Sequence, residues 1–309
     1  MTFARTKIQP PRPRSAYVER ALVQARLADA LLNRRVVLLC APAGYGKTTA
    51  LAHEIARLPP EHAVAWISAD AGDDLQRLLE CMLAALEPFD PPWRTAPESL
   101  VTRVGSATSD EQRTLAAEII NTLDACEVAH GVIAFEDVHR VDDPAFFAFL
   151  DLLIERLSAR WSIAITSRTD PPLALARLRA HDELAEFRQL QLQFARDDAR
   201  RLAAESGLDE AIADRLFDRT QGWPAGMRIA IGVVIVATIA GTTQGLTAWL
   251  LGSSYALALG VIAGLLDMIP NIGATIAGFI LSLTLLAEEG LTAALIMLAV
   301  VLIYQQVEN

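Results

Sequence analysis

The sequence predicts an α/β unit with a parallel sheet and a helical extension, followed by an all-α transmembrane segment. Three observations lead there. Continuous apolar runs of strand length alternate with helical periodicities up to about residue 190, the pattern of a parallel sheet covered on both faces. A glycine-containing loop ending in Lys-Thr-Thr joins the first apolar run to a helix. Finally, the charge stops: all 27 Lys and Arg lie at or before Arg228, and beyond it only Asp267, Glu288, Glu289 and Glu308 are charged.

Taken in order, residues 1–30 form a lead-in and helix. Arg5, Lys7, Arg12 and Arg14 stand among prolines and read as extended chain, and Leu22, Leu27, Leu31 and Leu32 follow with helical spacing. The core, 31–190, opens with the apolar run 36–39 and the stretch 41–49, APAGYGKTT. A helix with Leu51, Ile55 and Leu58 on one face comes next. Strand, loop and helix in that order make a phosphate-binding P-loop. Backbone N–H groups across Ala43, Gly44, Tyr45, Gly46, Lys47, Thr48 and Thr49 cradle phosphate oxygens, and the helix N-terminus adds partial positive charge. The expected ligands at this loop are a nucleotide's phosphates and Mg²⁺. Lys47 reaches the β- and γ-phosphates, and the Thr48 hydroxyl reaches Mg²⁺. Ala41 stands where such loops usually begin with Gly.

Pro59 and Pro60 stop that helix. Residues 63–68, AVAWIS, read as a buried strand, and Asp73 or Asp74 caps the helix through Leu75, Leu79, Met82 and Leu86. Residues 88–110 look irregular, and Leu115, Ile119 and Leu123 mark another helix. The run 131–135, GVIAF, ends in Glu136 and Asp137. Acids at that place can act in nucleotide chemistry: Glu136 in the Mg²⁺ shell, Asp137 orienting a water. Asp143 and Pro144 form an N-cap and first-turn pair. The strand 161–167 ends at Arg168, which reads equally as a γ-phosphate sensor or as the partner of a surface acid. The segment 191–228 is a helical extension, with Leu208, Ile212 and Leu216 on one face.

Composition narrows the class. A net charge of −10 gives no overall basic field for nucleic acid. Cys40, Cys81 and Cys126 are widely spaced and read as small buried residues of a reducing compartment. No His pair has metal-ligand spacing, and the N-terminus reads as lacking a signal peptide.

Residues 6–228 resemble the NTPase domain of the MalT-like, LuxR-type ATP-dependent regulators, within the signal-transduction (STAND) NTPases. The matching stretches are APAGYGKTT, AVAWISADAGDD at 63–74, the strand with Glu136, Asp137 and His139, TSRTDPPLALARLRAHDELAE at 166–186, and TQGWPAG at 220–226. The resemblance implies an α/β P-loop NTPase in which ATP binding switches the protein and slow hydrolysis resets it. Lys47, Thr48, Glu136, Asp137 and Arg168 fall on the family's loop, acid and sensor positions, and Pro224 falls on one that contacts the nucleotide base side. Glu136 replaces the more usual Asp. The family's helical-repeat sensor and helix-turn-helix have no counterpart here, so no DNA-binding module is expected.

Residues 229–309 form the second part. As one helix, 229–266 would run about 57 Å, too long for a hydrocarbon core of about 30 Å. A break is expected at Gly252, Ser253 and Ser254. Further apolar stretches at 268–287 and 291–304 bring the expectation to three or four spans in a lipid bilayer. Asp267, Pro270 and Asn271 stand between short apolar runs, where broken helices occur. Asp267 reads either as a functional acid or as a headgroup-level loop acid. This part resembles the autoinducer-2 exporter family through GTTQGLTAWLLG at 241–252, YALALGVIAGLLDMIPNIGATIAG at 255–278 and LIYQQVEN at 302–309. That resemblance implies small-molecule export. The two resemblances meet near Arg228 without a linker, as in a chimeric chain. Expected partners are ATP, the bilayer and further copies of the chain as a homo-oligomer. The expected location is the inner (cytoplasmic) membrane, multi-pass, with the NTPase part in the cytoplasm on the positive-inside rule.

Overall fold

The computed structural model describes residues 3–12, 17–104, 107–269 and 272–308. It divides into two units, Met1–Asp198 and Ala199–Asn309. The division falls inside the segment 191–228 expected as a helical extension.

In the first unit a short 3₁₀ turn, Arg5–Ile8, precedes helix α1 (Ala21–Asn33), strand β1 (Val36–Cys40) and helix α2 (Lys47–Ile55). Next come β2 (His62–Ser68), α3 (Leu75–Leu86), α4 (Pro97–Val104), α5 (Ser109–Ala125) and β3 (His130–Glu136). The unit continues through α6 (Pro144–Arg156), β4 (Trp161–Ser167), α7 (Leu175–Ala180), β5 (Leu184–Arg188) and α8 (Gln189–Leu192). Helix α9 (Arg196–Glu205) spans the division point.

The five strands form one parallel sheet in the order β2-β3-β4-β1-β5. Strands β1 and β4 are buried along their whole length, which is why their sequences are apolar without alternation. The period of two survives in where the side chains go. Val36, Leu38 and Cys40 join a core with α3 to α7, whereas Val37 and Leu39 join a second core with Leu27 and Leu31 of α1 and Leu51 and Ile55 of α2. Each such fully buried Leu is worth about 1.5–3 kcal/mol.

Two elements depart from the expectations. Helix α4 lies within 88–110, expected as irregular, and buries Leu100 and Val104. Three apolar residues, Leu100, Val101 and Val104, in a single octapeptide are too few to show a period. Strand β5 carries Glu186 and Arg188 and is mostly half-buried, as an edge strand is. Its charges hide it from a search for apolar runs.

Polar ties fix the helices to the sheet. Asp74 is the cap of α3, its carboxylate accepting from Arg77 N at 2.8 Å. Asp73 instead receives Lys7 Nζ at 2.5 Å and Asp70 N at 2.7 Å. Asp143 serves two helices, accepting from Ala145 N of α6 at 2.9 Å and from Leu75 N of α3 at 2.8 Å. At the amino ends of the strands, the Leu31 carbonyl accepts from Ser162 Oγ at 2.8 Å and from His130 Nε2 at 2.9 Å. There too, Arg35 donates to the carbonyls of Ile154 and Glu155. At the same end, between the neighbouring strands β3 and β4, Trp161 pairs in register with Gly131 and donates through Nε1 to Leu123 O at 2.8 Å. A Cβ on Gly131 would stand 2.2 Å from the Trp161 ring.

Because Asp143 satisfies an orphan amide on each of two helices, Asp143→Ala should cost about 2 kcal/mol, at the upper end for a cap. Amide exchange checks this. The Leu75 and Ala145 amides should lose protection while the Asp74-bonded Arg77 amide keeps it; equal loss at all three would contradict the double role.

The second unit is helical: α10 (Glu210–Thr220), α11 (Pro224–Leu250), α12 (Ala256–Asp267), α13 (Gly273–Glu288) and α14 (Leu291–Glu308). The break expected at 252–254 falls between α11 and α12. Helix α11 has 27 residues, its 18-residue apolar window has a mean hydropathy of 1.8, and among the described residues it is the helix long and apolar enough to cross a membrane. Of its 18-residue apolar window only 17% is buried, and α12, α13 and α14 are shorter apolar helices by the same test. Trp249, Leu257, Leu265, Phe279, Leu295 and Ile303 point outward. Large apolar side chains on that scale suit lipid better than water. Helices α11 and α12 touch through backbone. A Cβ on Gly241 would meet Gly260 O at 2.7 Å, one on Gly260 would meet Gly241 O at 2.7 Å, and one on Gly264 would meet Ala237 O at 2.8 Å. Gly241 with Gly245, and Gly260 with Gly264, give each helix a small-xxx-small face.

Candidate nucleotide site

The loop between β1 and α2 owes its shape to two left-handed residues, Gly44 at φ +81° and Gly46 at φ +76°, where a Cβ would be strained. Gly46 is the cap residue of α2, and no side chain caps that helix. The first-turn amides and the positive end of the helix dipole therefore face the loop. Lys47 is only 6% exposed. Its Nζ donates to Ala41 O at 2.8 Å and to Pro42 O at 3.1 Å. Burial pushes its pKa down, against the pull of Asp137 and with the push of Arg168. Ala43 is exposed, Thr48 and Thr49 are half-buried, and Tyr45 is buried with its hydroxyl accepting from Gln189 Nε2 at 2.8 Å.

The two acids after β3 have different surroundings. Glu136 accepts from Ser68 Oγ at 2.7 Å, which turns it toward β2. Asp137 adopts φ +56° and donates its N–H to Thr166 Oγ1 at 2.9 Å. Its carboxylate lies 3.7 Å from His139 Nδ1 and its charge acts on Lys47. Burial lowers the His139 pKa; Asp137 opposes the shift, while Arg168, Lys47 and Arg140 add to it. Lys47, Asp137, His139 and Arg168 thus form one electrostatic group at the carboxyl ends of β1, β3 and β4, where ligands bind in open parallel sheets. Arg168 is solvent-exposed.

Of the other sequence-predicted residues, Pro224 belongs to the second unit and opens α11. Asp267 ends α12, both carboxylate oxygens shielded from solvent. Pro270 and Asn271 lie outside the described residues. Sequence reasoning missed two residues of the loop's surroundings. Gln189 holds Tyr45, and Arg20, 6% exposed, brings Nη2 to within 3.8 Å of where a Gly46 Cβ would stand. A cation one residue before a helix gives no periodic signal. Cys40, Cys81 and Cys126 are free and buried, as expected.

Comparison with known proteins finds different relatives for the two parts of the chain. Residues 212–309 match the AI-2E family transporter family. The chain is 31% identical over 233 residues to the serine/threonine-protein kinase PknK of Mycobacterium tuberculosis, an alignment covering 73% of this chain and 20% of that protein. It is 27% identical over 223 residues to the HTH-type transcriptional regulator MalT of Klebsiella pneumoniae, covering 70% of this chain and 24% of that protein. The chain therefore spans about a fifth to a quarter of these relatives. In fold it is similar to a Signal Transduction ATPase with Numerous Domains, a STAND protein with a tetratricopeptide repeat sensor from Pyrococcus horikoshii. There the TM-score is 0.51 at 12% identity, over 94% of this chain and 48% of that one.

Proposed function

We propose that this chain, a STAND-type P-loop ATPase fold joined to an AI-2E transporter-family segment, binds Mg-ATP at the loop before α2 as a switch held at a membrane by its second unit. The observation that carries the reading is the uncapped N-terminus of α2 beside the buried ammonium of Lys47. Anions bind at such a helix end without further help, and a buried cation bonded only to carbonyls gains from an anionic partner. The amides across 43–49 would hold phosphate, the Thr48 hydroxyl with Glu136 would supply hard oxygen ligands of the kind Mg²⁺ takes, and Asp137 would orient a water. The metal would neutralise phosphate charge there. Arg168, whose charge reaches Lys47, would respond to the terminal phosphate. Pro224 stays a proposed base-side contact on resemblance alone.

Membrane residence rests on α11 and on the outward apolar side chains of the second unit. Native membranes washed at alkaline pH and probed with an antibody to residues 1–228 test it. A band retained in the washed membrane is expected; a soluble band ends the tethered reading.

A second reading, small-molecule export, is favoured by the family match over residues 212–309. In it Asp267 would line the path. Autoinducer-2 loaded into vesicles is the probe. Efflux that changes in Asp267→Asn supports export, and no efflux from the parent chain removes it.

A further inference from the structure

We propose that Gln244, with Ser282, is a solute-binding site inside the second unit, suited to a small uncharged molecule that carries hydroxyl groups. The proposal rests on the export reading above. It names what that reading leaves open: the side chains that would hold a solute and the class they would accept.

Gln244 stands on the buried face of α11. Ala237, Ala240, Gln244 and Ala248 follow one another at helical spacing, and all four are buried. A small apolar residue would continue that face; a carboxamide interrupts it. Gln244 is 0% exposed, and neither its Oε1 nor its Nε2 has a hydrogen-bond partner among the described residues. Leaving both ends of an amide unpaired in an apolar interior is costly, and polar side chains inside membrane segments mark solute paths. Ser282 of α13 repeats the situation, with its Oγ shielded from solvent and without a partner among the described residues.

Contacts between helices set the depth of both. Tyr304 Oη donates to Val236 O at 3.2 Å, and Gln305 Nε2 donates to Thr275 Oγ1 at 3.4 Å. Adjacent residues of α14 thus bring Val236 of α11 and Thr275 of α13 to a similar level. Both helices run from there toward the other end of the unit, where Ser253 Oγ, just past α11, donates to Glu288 Oε2 at the end of α13, at 2.6 Å. Gln244 lies about 12 Å beyond Val236 and Ser282 about 10 Å beyond Thr275, at the standard helical rise. The two unpartnered side chains therefore sit at similar depth between polar groups at either end. Transporters hold their solutes near such a midpoint.

Chemistry narrows the ligand. A carboxamide offers donors and an acceptor, and a serine hydroxyl offers both kinds as well, so the hydroxyl groups of a solute match the pair. Neither side chain carries a charge that would offset the desolvation of an ion. Past Arg228 the chain has acids but no Lys or Arg. Asp267 closes α12 at one end of the unit, and Glu288 closes α13 at the other. An anion would meet only like charge on its way in.

The test uses full-length protein in lipid vesicles, with autoinducer-2 efflux as one readout and the thermal midpoint in detergent as the other. Gln244→Leu should slow efflux by about tenfold, the loss of one hydrogen-bonding partner. It should also raise the midpoint, because it removes an unpartnered amide from an apolar interior. A lowered midpoint would make Gln244 a strut between helices and overturn the proposal, as would unchanged efflux. Excess ribitol should compete with autoinducer-2. Ribonate and 1-amino-1-deoxyribitol, an anion and a cation on the same skeleton, should not. Competition from either ion, or none from ribitol, overturns the ligand class. Should Gln244→Leu not fold, Ser282→Ala decides, since it deletes a single oxygen: slowed efflux at an unchanged midpoint supports the proposal, and unchanged efflux overturns it. A parent chain without efflux removes the export reading and the proposal with it, whereas parent efflux that Gln244→Leu leaves intact sinks the proposal alone.

Discussion

Replacing Lys47 by Ala should abolish Mg-ATP binding, with at least a hundredfold loss of affinity in calorimetry on the full-length protein. The ammonium is buried and bonds only to the carbonyls of Ala41 and Pro42. Charge-assisted bonds to phosphate are worth about 1.5–3 kcal/mol each. Loss of two such bonds, at 1.4 kcal/mol per tenfold, exceeds two decades. The fold itself gives up two contacts to carbonyls and is relieved of a buried charge, so the thermal midpoint without nucleotide should hardly move. That pairing of lost binding with kept stability separates a ligand role from a structural one. Unchanged affinity would remove ATP from the account.

The second large effect is on stability. Gly131→Val should cost about 3 kcal/mol or more, above the usual range for overpacking. The new Cβ would enter the Trp161 ring at 2.2 Å. That ring has nowhere to go: Trp161 is 1% exposed and its Nε1 is committed to Leu123 O. Relief would require β3 and β4 to part at their amino ends. A double-mutant cycle identifies the cause. Trp161→Ala is destabilising alone, through the cavity it opens, but Gly131→Val should cost much less in its presence. Additive losses in chemical denaturation would show that the clash is not the reason.

Legibility in the sequence followed burial. Strands β1, β3 and β4 announce themselves because a parallel sheet between two helical layers leaves its central strands no polar face, and edge strand β2 does so through its buried Ala65, Trp66 and Ile67. The loop is legible because close approach to phosphate admits few residue types, and Asp143 because a cap before Pro144 has a fixed grammar. Edge strand β5 and helix α4 escape because a half-exposed element needs little apolar surface. Arg20 and Gln189 escape for a different reason. Each reaches the loop across a long stretch of chain, and only the fold brings them together. Glu136 and Asp137 are legible as a pair, but their division of labour is not. It depends on Ser68 beside one and Lys47 near the other. In the second unit the spacing of Gly241, Gly245, Gly260 and Gly264 carries the helix contact, yet spacing alone does not say which faces meet.

The polar ties at the two ends of the strands have a consequence for variation. At the amino ends, Ser162 and His130 share one carbonyl and Arg35 clasps the end of α6; nothing there belongs to the candidate site. At the carboxyl ends stand the residues that would meet a ligand. A library of substitutions across the first unit should therefore sort along the strand axis, with lost abundance from one rim and lost response from the other. A lineage could then rewrite what the carboxyl rim recognises while the opposite rim keeps the sheet assembled.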